Sequence, residues 1–186
     1  MKKLQFLTFA AIFLFAINAS AQTITIPDDL EEPVGEFLVP VDVDFSEENV
    51  GAFELRISYD GNVLDYKGIT NEHTDISGAS SSQAGTNPIV VTWASSNDIS
   101  PEGKLFDIEF EGLEVGTSSL TFVNPNTGAT DGSNFWEDDT SGSLISTTFN
   151  NGFITVTPAI PLSNWALAVT GVLIAVFVFF RMRRIM

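Results

Sequence analysis

From Val39 onward the chain alternates. In Val39-Pro40-Val41-Asp42-Val43-Asp44-Phe45 the odd positions are apolar and the even ones are not. Phe53, Leu55, Ile57 and Tyr59 alternate with Glu54, Arg56 and Ser58, and Phe106, Ile108 and Phe110 alternate with Asp107, Glu109 and Glu111. A period of two puts each apolar set on one face of an extended segment, so each is a strand with one buried and one wet face. Ile89 to Ala94 is more continuously apolar, as a central strand would be, and Ser119–Val123 and Phe153–Thr157 are further β-rich runs. Asp60-Gly61 and Asn151-Gly152 signal tight turns, because these residue types tolerate positive φ. Pro101-Glu102-Gly103 and Val115-Gly116-Thr117 also break strands. Ser77 to Asn87 is rich in Ser, Gly and Gln and reads as a loop or a weak edge strand. There is no internal repeat, and no part of this middle region keeps helical spacing for long. Many short strands separated by turns predict an all-β sandwich.

Both ends differ from the middle. Residues 1–21 carry Lys2 and Lys3, an apolar core from Phe6 to Ile17, and the small residues Ala19-Ser20-Ala21. That order is a secretory signal peptide with cleavage after Ala21; as a first transmembrane helix the apolar run is short. Residues 162–180 hold no charge, span about 28 Å as a helix, and are followed by Arg181, Arg183 and Arg184. Pro158 and Pro161 separate this stretch from the last strand, which argues against a core helix. The predicted organisation is a signal at 1–21, a β-sandwich at 22–157, a linker at 158–161, a transmembrane helix at 162–180 and a basic tail at 181–186. Arginines stay cytoplasmic, so the domain faces outward.

Charge narrows the partners. All 24 acidic residues lie between the two ends, against three basic ones (Arg56, Lys67 and Lys104), which leaves −21 on the exported part. Such a domain is repelled by nucleic acid and anionic lipid, and attracts divalent cations or basic partners. Cysteine is absent, which removes disulfides, thiol catalysis and zinc-thiolate sites.

Three constellations could carry chemistry. Asn124 to Gly142 holds Asp131, Glu137, Asp138 and Asp139, with Asn126 and Asn134 nearby. Calcium takes six to eight oxygens, which an acidic, Gly-rich loop can offer; the spacing is not that of an EF-hand, and an acidic surface loop is the plainer reading. Trp136 sits in a polar stretch and could stack on a sugar ring; alternatively Phe135 or Trp136 plugs the end of the sandwich. Trp93 lies within a strand and reads as core packing or a half-buried sheet position. The single histidine, His73, has acidic neighbours in a polar loop. No nucleophile elbow, phosphate loop or dinucleotide glycine pattern is present. Plentiful acids keep a paired-carboxylate glycosidase in view, but the pattern favours a non-enzyme.

Val39–Ile69, Val90–Phe122 and Asn151–Val156 together resemble a cohesin domain. The carriers are a Val-Pro-Val strand, a strand ending in Tyr59-Asp60, an apolar strand ending at Trp93-Ala94-Ser95, the Gly103-to-Phe110 strand and a closing Asn151-Gly152-Phe153-Ile154-Thr155-Val156 strand. The resemblance implies a jelly-roll sandwich and a non-catalytic role in capturing a dockerin-like protein module or a carbohydrate, including in polysaccharide catabolism. It further implies contacts from one sheet face, here Glu54, Arg56 and Ser58, with Ser96, Asn97 and Asp98 in the adjoining loop. The tail is similar to bacterial sorting signals of the exosortase-associated type, carried by Pro161, Leu162, Ser163, Asn164 and Trp165 ahead of the helix and basic cluster. Two expectations follow: a surface-displayed binding module, or a secreted or surface structural component sorted through that tail.

Overall fold

The computed structural model describes residues 22–45, 49–137 and 142–159, and positions 172 and 181 besides. The expected signal peptide, the Pro161–Trp165 motif and, apart from Val172, the apolar segment 162–180 lie outside these residues. Among the described residues no helix is long and apolar enough to cross a membrane.

The strands are β1 Gln22–Thr25, β2 Leu30–Pro33, β3 Gly35–Asp44, β4 Val50–Ser58, β5 Leu64–Thr70, β6 Ser80–Ser81, β7 Ile89–Ile99, β8 Glu102–Gly112, β9 Gly116–Phe122, β10 Asn134–Glu137, β11 Thr147–Asn150 and β12 Gly152–Thr157, with one 3-10 turn at Thr74–Ile76. They form two sheets in the orders β11-β1-β3-β8-β5 and β2-β12-β9-β4-β7-β6, with β10 added against β4. The all-β sandwich expected from the alternation is what forms.

The alternation sets the core. Val39, Val41 and Val43 of β3 and Phe106, Ile108 and Phe110 of β8 meet Phe53, Leu55 and Ile57 of β4, Leu120 and Phe122 of β9, and Ile154 and Val156 of β12. Each such side chain contributes roughly 1.5–3 kcal/mol by leaving water. One polar exception sits in β8. Asp107 is buried, and its Oδ2 accepts from Asn71 Nδ2 at 2.6 Å and Lys104 Nζ at 2.8 Å, so the charge is paired where it is covered.

Four expectations need correction. Ile89–Ala94 is not a central strand: only the two-residue β6 lies outside β7, and its side chains alternate between core and outer face. The predicted break at Pro101-Glu102-Gly103 is already the start of β8, where Gly103 takes a φ of 82° beside a register shift. β9 likewise begins at Gly116. The fourth concerns the two turn signals. The tight turn at Asp60-Gly61 forms, but neither Gly61 nor Gly152 adopts the positive φ expected of them. Asp60-Gly61 carries the chain from β4 in one sheet to β5 in the other, with Val63 and Leu64 both donating to the Asp60 carbonyl. Asn151-Gly152 carries it from β11 to β12, again between sheets. Only the β6–β7 and β9–β10 connections keep the chain in one sheet.

Gly152 is glycine for want of room. A Cβ there would run into the carbonyl oxygens of Ile26 and Pro27, which are backbone and cannot swing aside. Gly152→Ala is therefore expected to destabilise the domain by about 2 kcal/mol or more, as overpacking does. Urea denaturation checks this; an unchanged midpoint would mean that the backbone yields.

Both tyrosines pack edge-on to Phe110, Tyr59 at 5.3 Å and Tyr66 at 6.2 Å between ring centres. The Tyr59 hydroxyl donates to the Thr86 carbonyl at 3.0 Å. That of Tyr66 is fully buried without a partner in good hydrogen-bonding geometry among the described residues. Burial raises both phenols above their ordinary value of 10.0. A phenol with a raised folded pKa stabilises the fold below the unfolded value and loses that contribution as pH climbs through the folded one. Because the chain has only these two tyrosines, the native protein should show less than half of full phenolate absorbance at 295 nm at pH 10. The urea-unfolded chain should be about half ionised there. Coincident titrations would contradict this burial.

Candidate binding face

The outer face of the second sheet carries most of the residues that the sequence singled out. β4 presents Ala52, Glu54, Arg56 and Ser58 outward, because Phe53, Leu55 and Ile57 point in. β7 adds Val90, Thr92 and Ala94 beside them.

The polar trio is turned onto the protein's own surface. Arg56 Nε meets Glu54 Oε1 at 2.6 Å, and Arg56 Nη2 donates to the Thr130 carbonyl at 2.9 Å. Ser58 Oγ donates to the Thr121 carbonyl at 3.2 Å. Arg56 therefore ties the 124–133 loop across the sheet, and a partner meets only the guanidinium donors left over. Ser96, Asn97 and Asp98 belong to the backbone run of β7, and their side chains lie outside the described residues.

β4 changes partner along its length. Its first part pairs with β10 and its end with β9. Arg56 lies at the junction, where Val123 N donates to its carbonyl at 2.8 Å but its N–H faces no backbone carbonyl. Ser133 closes the gap: its Oγ accepts from Arg56 N at 2.9 Å and donates to Arg56 O at 3.0 Å, while Ser133 N donates to the Val123 carbonyl. The residue is fully buried. Nothing local marked it in the sequence, since its partner is 77 residues away.

The acidic loop is held by amides. Asn126 takes a φ of 57°, and its side chain bonds both the N–H and the carbonyl of Thr147. Asn134 accepts from Gly128 N and donates to the Ala129 carbonyl. Both carboxamides counted above as oxygen donors for a cation are thus engaged in loop closure. Asp131 is exposed in a turn and Glu137 is half-buried on β10; Asp138 and Asp139 lie outside the described residues. Among the described residues no three His, Cys, Asp or Glu side chains are grouped to hold a metal. His73 caps the 3-10 turn, its Nδ1 accepting from Asp75 N at 3.3 Å.

Trp136 does not sit in a loop. It lies on β10 opposite Ala52 of β4, with a bridge to Leu144 on its other side. Phe135, the preceding residue, points inward and is fully buried against Phe45 at 4.5 Å, Phe53 at 5.5 Å and Phe149 at 6.2 Å. The plug is Phe135, so Trp136 is left half-buried on the outer face. Trp93 is a core residue as expected, stacked on Phe53 at 5.8 Å.

The register lines up Leu144, Trp136, Ala52 and Ala94 as one row across neighbouring strands. Leu144 is 38% exposed and Ala94 is exposed. A large ring between Leu144 and Ala52, with Ala94 one strand further on, makes a low apolar shelf. The next row, Asn134, Glu54, Thr92 and Ser80, is polar, with Ser80 Oγ and Thr92 Oγ1 2.8 Å apart. Extending the alternation back from Glu54 would have placed Ala52 on this face; Leu144 carried no signal.

Two facing sheets with an apolar row on one outer face define a β-sandwich domain. A family model for the cohesin domain matches residues 23–156, and the chain belongs to that family, whose members are non-catalytic interaction modules. Among solved structures, the seventh type I cohesin of ScaB from Pseudobacteroides cellulosolvens is 20% identical with a TM-score of 0.60, over 77% of this chain and 96% of that one. A non-cellulosomal cohesin from the hyperthermophilic archaeon Archaeoglobus fulgidus is 22% identical with a TM-score of 0.56, over 74% and 92%. A Clostridium thermocellum structure of the OlpA cohesin in a type I cohesin–dockerin complex is 14% identical with a TM-score of 0.59, over 74% and 100%. At these identities the likeness is one of fold. No curated protein sequence matches.

Ser133→Ala should strand the buried Arg56 N–H and cost about 1–3 kcal/mol. Thermal unfolding of the variant reads that loss directly, and an unshifted transition would show that water or another donor fills the gap.

Proposed function

We propose that this chain is an exported, surface-displayed capture module whose partner is a dockerin-like protein module. The observation that carries the reading is the shelf of Leu144, Trp136, Ala52 and Ala94 beside the polar row of Glu54 and Thr92. Interface energy concentrates in a few large side chains, Trp foremost, set in low apolar surroundings with a polar rim. Glu54, Arg56 and Ser58, with Ser96, Asn97 and Asp98, form that rim and select the partner more than they hold it. Family membership and the dockerin-bound neighbours support a protein partner over a sugar.

Export by residues 1–21 and anchoring by 162–180, before or after a sorting protease acts near Pro161, complete the proposal. The protein then holds a dockerin-bearing partner at the cell surface.

Binding of the purified mature chain to a panel of dockerin modules, by surface plasmon resonance, tests it. At least one dockerin should bind, and Trp136→Ala should weaken that binding by about 2 kcal/mol, roughly 30-fold. Binding to a glycan array with no dockerin captured would move the function to carbohydrate. Full affinity in Trp136→Ala would move the contact off this face.

A further inference from the structure

The two ends of the sandwich differ in kind. Val34, Leu113 and Val115 are 38%, 45% and 60% exposed, three of the few large apolar side chains that the described domain leaves in water. They lie together although distant in sequence. Gly35 and Leu64 both pair with Gly112 in the first sheet, and Val156 pairs with Gly116 in the second. The two rows face each other, since a Cβ on Gly112 would meet Val156 at 2.9 Å. Leu113 N donates to the Val63 carbonyl at 2.8 Å, and Val34 N to the Thr157 carbonyl at 3.0 Å. Glu114 lies among the apolar side chains, exposed Asp60 accepts from Val63 N in the adjoining turn, and Glu32 pairs with Val156; Glu36 is one strand position further in, beside Glu111, which is paired with Lys67. The opposite end, about 33 Å away along β8, carries Asp44, Glu102, Glu72, Asp75 and Glu137.

Thr157, the last residue of β12, is at the apolar end. The four residues after it reach at most about 18 Å to Leu162, where the uncharged 19-residue stretch begins. We infer that the apolar end, through Val34, Leu113 and Val115, rests in the headgroup region of the membrane that residues 162–180 span. The inference depends on that stretch being a membrane span, as proposed above. A short tether already brings this end to the bilayer, so apolar side chains there gain by entering the interface. The contact is apolar, because the nearby unpaired charges are carboxylates, and it suits a neutral lipid surface. The sandwich then stands on the membrane with Trp136 and Ala52 toward the outer end, since Val50 and Glu137 pair at that far end of β4.

The absence of native cysteine allows a clean test. The full mature chain carrying Val115→Cys is labelled with an environment-sensitive fluorophore and reconstituted in phosphatidylcholine vesicles; Glu102→Cys is the far-end control. The probe at 115 should shift to the blue and lose at least half its emission to a headgroup nitroxide lipid, while the probe at 102 stays unquenched. Carbonate-resistant flotation with vesicles, but no lipid quenching at 115, would overturn the inference and leave the anchor standing. A probe at 115 shielded from iodide yet not quenched by lipid would assign this end to a second copy and overturn it too. A chain that fails to float would overturn the anchor and this inference with it.

Discussion

The two sheets of this domain can be assembled only together. Consecutive strands fall into opposite sheets at nearly every connection, so most strands pair with strands that are not their neighbours in the chain. No cysteine is present to staple those segments. What holds them is interdigitation of apolar side chains from two inner faces, Val39, Val41 and Val43 among them, over a core built from long-range contacts. The close approaches that result are unforgiving. Gly112 and Gly152 stand where a side chain from the other layer, or the β1–β2 backbone, leaves no space for a Cβ.

Phe135 ties that packing to the outer face of the second sheet. Its ring joins Phe45, Phe53 and Phe149, and by going inward it obliges Trp136, its neighbour on a pleated strand, to go outward. Ser133 matters for the same reason one turn earlier. By standing in for a strand neighbour at Arg56, it lets β4 pass from β10 to β9 without an orphaned backbone group. The face that results has an apolar row edged by polar side chains, and Arg56 spends much of its hydrogen-bonding capacity on keeping the loop beneath in place.

Carboxylates lie at both ends of the long axis, but Val34, Leu113 and Val115 gather exposed apolar surface at the end where β12 finishes. On the proposed reading the sandwich is tethered at that end, and its outer sheet face stays open to a partner.

Much of this was legible in the chain. A two-residue period is a local property, so the alternation at Val39–Phe45, Phe53–Tyr59 and Phe106–Phe110 determined strands, their buried sides and the two-layer class without any knowledge of partners. Short strands such as β1, β2, β10 and β11, which hold four residues each, carry too few positions for that signal. Asp60-Gly61 and Asn151-Gly152 marked where the chain bends but not into which sheet, because a turn sequence encodes a local conformation and the sheet is chosen by what the next strand can bury. Register is equally non-local. Trp136 was visible as an exposed-aromatic candidate, yet only the pairing of β10 with β4 set it beside Ala52 and Ala94. Likewise nothing local joins Val34 to Leu113 and Val115; the sandwich brings them together by gathering its strand ends. The sequence by itself determined which side of each long strand faces water, because that rests on neighbours in the chain. The tertiary structure alone decided which wet sides share a surface, because that rests on pairings between segments tens of residues apart.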